Sequence, residues 1–151
     1  MITETMQKTI TLPLATLLFS LISPLYADNS SLVIEDAWIA EAPPVSKVMV
    51  AYLTLKNTGE KDIQIIRAES NNYSSIEFHE TRHEGGMASM IRHDSLPVAS
   101  GALLRLKRGG QHLMLFNPTK ALKAGDSVEV KFTLDDNSTK TVAIIVKKAQ
   151  F

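Results

Sequence analysis

The 151-residue chain contains no cysteine. That absence excludes disulfides, thiolate zinc sites, iron–sulfur clusters, thiol nucleophiles and a lipidated cysteine at a processing site. Any metal held by these residues must use His, Met, carboxylate or backbone oxygen. Charge of one sign is also missing, because 16 Lys and Arg balance 16 Asp and Glu. A basic nucleic-acid-binding surface therefore has no support in composition, and Arg105-Leu106-Lys107-Arg108 and Lys147-Lys148 read as short solvated runs. Only 7 Gly and 6 Pro are present, too few for a disordered chain when 44% of residues are hydrophobic. The length allows one domain.

One apolar run stands out near the start, Ile10 to Ile22, preceded by Lys8, interrupted by Pro13 and broken by Pro24. A spanning helix needs about 20 apolar residues, and this run is shorter. A charged residue, a short apolar core and a small residue, Ala27, before Asp28-Asn29-Ser30-Ser31 form the layout of a secretory signal. The reading is residues 1–27 as signal peptide and 28–151 as the mature domain, without a membrane anchor. Its destination is an oxidising compartment outside the cytoplasm.

Beyond residue 31 the hydrophobic pattern has period two rather than the helical period. Val48–Leu55 is a strand of β-branched and aromatic residues stopped by Asn57-Thr58-Gly59. Further strands are expected at 63–68, 75–81, 103–107, 112–116, 128–134 and 141–146, separated by Gly, Asn, Asp and Pro. Asn57–Asp62 reads as a hairpin turn, and Asp135–Ser138 as the turn of the last hairpin. Ala42-Pro43-Pro44 ends the first strand as a surface loop. Trp38, in that first strand, reads as a core residue, and Met49 as core or sheet surface. No long amphipathic helix and no repeat is visible, so the fold class is all-β, a sandwich or barrel.

The candidate chemistry lies in His and Met. In His112-Leu113-Met114, alternation sends Leu113 and Leu115 to the core, so His112 and Met114 point away from it, about 6.6–7 Å apart. A surface Met beside an unrelated His is the simpler reading of that pair alone. In Ile76-Glu77-Phe78-His79-Glu80-Thr81, Ile76 and Phe78 go inward, leaving His79 on the outward face with Glu77 and Thr81. Glu84-Gly85-Gly86-Met87 follows as a Gly-hinged turn. Met87 and Met90 are three apart, so at most one of them joins His79 on one face. Imidazoles and thioethers without thiolate or carboxylate suit Cu(I) and discriminate against zinc, magnesium and calcium. The set also lacks the two-His, one-Cys ligation of a blue-copper electron carrier. His83 and His93 read as plain surface His, with His83 and Met87 kept as auxiliary candidates. No G-x-S-x-G elbow organises the serines, and spacing does not assign Glu77 and Glu80 as an acid–base pair, so the chain reads as a non-enzyme.

These residues carry a resemblance. His79, ten residues, Met90, twenty-one residues, then His112-Leu113-Met114 matches the motif of the PCuAC family of periplasmic copper chaperones. Gly109-Gly110-Gln111 before His112 and Ala124-Gly125-Asp126 before β-like residues also match, and the similarity spans nearly all of 32–147. Some members have Met directly after the first His, whereas this chain has Glu80; the His/Met-rich tails of other members are absent. The resemblance implies a cupredoxin-like Greek-key β-sandwich that binds one Cu(I) through His79, Met90, His112 and Met114. It implies a periplasmic monomer that gives copper to the copper A domain of cytochrome c oxidase or to a copper assembly protein. Two other function classes remain at this point: a periplasmic copper buffer without a dedicated acceptor, and a β-sandwich interaction module whose His and Met are incidental.

Overall fold

A computed structural model describes residues 31–149, and their regular structure is strand throughout. The predicted signal peptide, residues 1–27, lies outside the described residues. Ten strands run in chain order as β1 (Leu32–Ala40), β2 (Val48–Asn57), β3 (Ile63–Glu69), β4 (Tyr73–Glu84), β5 (Met87–His93), β6 (Leu96–Val98), β7 (Leu103–Leu106), β8 (Gln111–Pro118), β9 (Ser127–Leu134) and β10 (Thr139–Lys147). Hydrogen bonds link them in the order β5-β4-β8-β2-β1-β10-β9-β3-β6, with β7 added on β2. The path folds back on itself. β3 and β4 are far apart along the ladder yet lie against each other, and Asn57 of β2 donates to the Val98 carbonyl of β6 at 3.0 Å. The result is the expected all-β, cupredoxin-like sandwich.

The alternation read from sequence builds the core. Met49, Ala51, Leu53 and Leu55 of β2 are buried, as are Val128, Val130, Phe132 and Leu134 of β9. Both inner faces interdigitate in one cluster that also holds Phe78, Leu113, Leu115 and Ile144. Aligned sandwiches pack such faces together to remove apolar area from water. The last hairpin turns where expected: Leu134 N–H donates to Ser138 O at 2.9 Å, with Asn137 at φ 65°, a conformation Asn tolerates.

Three expectations need correction. Asn57–Asp62 is not a hairpin turn, because β2 pairs with β1, β7 and β8 while β3 pairs with β6 and β9. The segment instead crosses from one layer to the other. Its turn chemistry is real, since Asn57 Oδ1 accepts from Gly59 N–H at 3.0 Å; the partners across the turn are what differ. Trp38 is not in the core. Asp36 sits at φ 52° and the β1–β2 register shifts between Glu35 and Trp38. This bulge reverses the phase of the strand: Leu32 faces the core before it and Ile39 after it. Trp38 is turned half-buried onto the outer surface, its ring 5.0 Å from that of Tyr52. Finally, β5 and β6 were not anticipated. β5 is exposed along most of its length and carries no period-two apolar signal. It forms because Gly85 (φ 58°) and Gly86 (φ 79°) permit a two-residue turn between Glu84 and Met87.

Candidate metal centre

Strands β5, β4 and β8 lie side by side and antiparallel. Residues directly opposed across such a pair share a face. His79 of β4 is opposite His112 of β8, and Glu77 is opposite Met114. On the other flank Thr81 is opposite Met90, and His79 opposite Arg92. Phe78, Leu113 and Leu115 occupy the inner face. All four candidate ligands therefore stand on one outward face of three neighbouring strands.

The two histidines are the centre of this face. Their rings are stacked with centroids 6.2 Å apart and planes inclined by 29°. Phe116 flanks His79 at 6.4 Å. Met114 lies on one side of the pair, level with Glu77, and Met90 on the other, level with Thr81. Thr81 Oγ1 contacts Met90 Sδ at 3.8 Å. Met114 is half-buried, whereas Met90 is 54% exposed. Glu77 and Thr81 are four residues apart on β4, about 13 Å along a strand, so the two thioethers flank the histidines from opposite ends. Each methionine is offset from its nearest histidine by two residues, about 6.6–7 Å along a strand, and its three rotatable bonds let the thioether lean toward the ring.

His112 departs from the expected exposed position. It has the outward parity predicted for it, yet only 6% of it is exposed. The His79 ring packs beside it, and its Nδ1 lies 3.0 Å from the Gly110 carbonyl. That carbonyl also accepts the Thr81 N–H at 3.1 Å, which ties the loop before β8 to β4. His79 is likewise mostly covered, with 12% of its side chain exposed. Its Nε2 is 2.9 Å from Glu77 Oε2, and its Nδ1 is buried without a hydrogen-bond partner. Arg92 Nη1 approaches the other Glu77 oxygen at 3.5 Å.

The auxiliary candidates separate. His83 is opposite Ala88 and shares the parity of His79, but it is exposed and four residues further along β4. Met87 is opposite Glu84, on the other parity, and 75% exposed. His93, read as a plain surface His, is half-buried and held by Glu80, Nε2 to Oε2 at 2.8 Å. Hydrogen bonds from Arg82 first, and from His93 second, hold the Glu80 carboxyl below its ordinary range. Glu77 and Arg92 are the neighbours that ligand spacing does not reveal. Period-two parity places Glu77 beside His79, but their hydrogen bond depends on rotamers. Among the described residues no group of three or more His, Cys, Asp and Glu could hold a metal. The candidate ligands that share this face are two imidazoles and two thioethers, a donor set of the kind that suits a soft cation.

Comparisons with known proteins agree with the fold. The copper-bound PCuAC domain from PmoF2 superposes with a TM-score of 0.67 at 18% identity, covering 82% of this chain and 97% of that one. The Cu(I) solution structure of DR1885 from Deinococcus radiodurans matches with a TM-score of 0.62 at 35% identity, covering 77% of each chain. Its apo form matches over 97% of each chain at 28% identity and a TM-score of 0.62. In sequence, "Putative lipoprotein Lxx21020" of Leifsonia xyli subsp. xyli is 33% identical over 115 residues, covering 76% of this chain and 68% of that protein. "Uncharacterized protein RP573" of Rickettsia prowazekii is 35% identical over 96 residues, 63% of this chain and 53% of that protein. The alignment thus spans about half the length of the Rickettsia relative.

The fold and these relatives define a β-sandwich domain of the PCuAC type. The profile of the LpqE-like family, described as "Putative lipoprotein LpqE-like", matches residues 32–146, and the chain belongs to that family. These 151 residues contain no cysteine to carry a lipid.

Proposed function

We propose that this chain is an exported copper carrier that holds one Cu(I) through His79, Met90, His112 and Met114. It works in the periplasm as a monomer and hands the ion to the copper A domain of cytochrome c oxidase or to a copper assembly protein. The observation that supports this reading is the register, which puts two imidazoles and two thioethers on one outward face of β5, β4 and β8. Copper-bound structures of the PmoF2 domain and of DR1885 support the choice of metal. The names of the lipoprotein relatives support export.

The chemistry favours cargo over catalysis. Thioethers are soft, neutral ligands that suit Cu(I), and they do not form disulfides in an oxidising compartment. The buried, unpartnered Nδ1 of His79 fits a site awaiting a cation. Met90, more than half exposed, leaves the ion within reach of another protein's donors.

The test is an anaerobic Cu(I) titration against a chromogenic chelator, with Met90→Ala and Met114→Ala combined. One Cu(I) per chain is expected, and the double variant should lose at least about tenfold in affinity, about 1.4 kcal/mol. Unchanged affinity would remove these residues from the site. Mixing the loaded protein with an apo copper A domain should develop that centre's colour. No transfer would leave buffering as the role.

A further inference from the structure

We propose that His79 offers copper its Nδ1 while His112 offers Nε2, and that Glu77 is the positioning residue that sets this choice. The inference rests on the copper reading above and concerns which atoms perform it. A neutral imidazole has one N–H and one lone pair, and its tautomer is set by the partner of either nitrogen. An ionised carboxylate only accepts. Glu77 Oε2 lies 2.9 Å from His79 Nε2, so the proton resides on Nε2 and the lone pair on Nδ1. That Nδ1 is buried with no hydrogen-bond partner. A buried polar atom left without a partner is rare in folded proteins, and a bound ion or an ordered water is what satisfies such an atom.

His112 is arranged the other way. Its Nδ1 faces the Gly110 carbonyl at 3.0 Å, an acceptor, so Nδ1 carries the proton and Nε2 the lone pair. The two rings, opposed in register, are thus held in opposite tautomers by different acceptors. Glu77 is itself fixed from both ends. One oxygen takes the His79 N–H, and the other faces Arg92 Nη1 at 3.5 Å, from the strand on the far side of His79. A ligating histidine that donates its second N–H to a carboxylate is oriented and made a better donor by it. Arg92–Glu77–His79 is such a chain, running from the edge strand to the site.

Long-range proton–nitrogen NMR of the 15N-labelled protein reads each ring nitrogen separately, and Cu(I) is diamagnetic. The metal-free protein should show His79 protonated on Nε2 and His112 on Nδ1. One equivalent of Cu(I) should shift Nδ1 of His79 and Nε2 of His112 while the other two nitrogens keep their protons. A shift at His79 Nε2 with the proton moved to Nδ1 would overturn the proposal and leave the copper site standing. No response from either ring would remove the site itself, and this proposal with it. Glu77→Gln keeps a carbonyl acceptor, so its Cu(I) affinity should stay within about threefold, whereas Glu77→Leu should lose roughly 10–100-fold and mix the His79 tautomers. An unaltered tautomer in Glu77→Leu, or equal losses in both variants, would deny Glu77 its positioning role.

Discussion

Asn57 offers the sharpest test of how the two layers are joined. It is wholly buried at the end of β2, where the chain leaves one layer for the other. Its Nδ2 donates to Lys61 O at 2.7 Å and to Val98 O at 3.0 Å, and its Oδ1 accepts from Gly59 N–H at 3.0 Å. Asn57→Ala removes all three bonds. At about 1 kcal/mol net for each, with an added penalty for a buried carbonyl left unpaired, the loss is about 3–4 kcal/mol. Small domains have about 5–15 kcal/mol in total, so a large share of the fold's stability would go. Urea unfolding followed by Trp38 fluorescence should show a lower midpoint at unchanged slope. Asn57→Asp keeps the bond to Gly59 but sets a carboxylate against two carbonyl oxygens. Its folded-state pKa must then rise, so its deficit should shrink as the pH falls and the group is protonated. A loss below about 1 kcal/mol in Asn57→Ala would refute the view that this side chain holds the crossing.

Other tests bear on the core, the hairpin and the acid limit. Burial pushes the Tyr73 hydroxyl up to about 12 from 10.0, and its oxygen lies 3.3 Å from Met49 Sδ. The unfolded chain ionises first, so the stability this group contributes is complete below pH 10 and is lost as the pH rises toward about 12. Alkaline unfolding should be less steep in Tyr73→Phe. Gly86 has φ 79° and open space where a Cβ would sit, so Gly86→Val should cost about 1–2 kcal/mol through the backbone alone, read as a lower Tm. Glu80, held below its ordinary carboxyl range by Arg82 and His93, contributes stability that is present above its unfolded pKa. That contribution is lost as the pH falls through the lower, folded value, and Glu80→Gln should flatten the acid limb of a Tm–pH curve.

What could be read from the chain follows from where its physics is local. β2 and β9 were legible because one residue in two is buried on a half-exposed strand. His79, His112 and Met114 were placed correctly as to face by the same parity. Met90 was not, because β5 buries so little that no periodicity marks it as a strand; only the spacing of the resemblance singled it out. Trp38 was misread because a single bulge at Asp36 reverses every side chain after it. Asn57 looked like a hairpin residue because its turn hydrogen bond is local, whereas its bond to Val98 spans 41 residues. The burial of His112 and the hold of Glu77 on His79 arise from packing between strands, to which a one-dimensional pattern is blind.

The two sulfurs differ in one further way. Met114 sits on β8, an interior strand gripped by β4 and β2, while Met90 sits on β5, the edge strand, bonded to β4 alone. Edge strands and hairpin tips open at far lower free energy than interior strands. In the proposed site this sets an order of events. An incoming donor would replace Met90 first, at the rim, while the imidazoles and Met114 still hold the ion. The departing metal would then never be bare, and the sandwich would never need to unfold to release it.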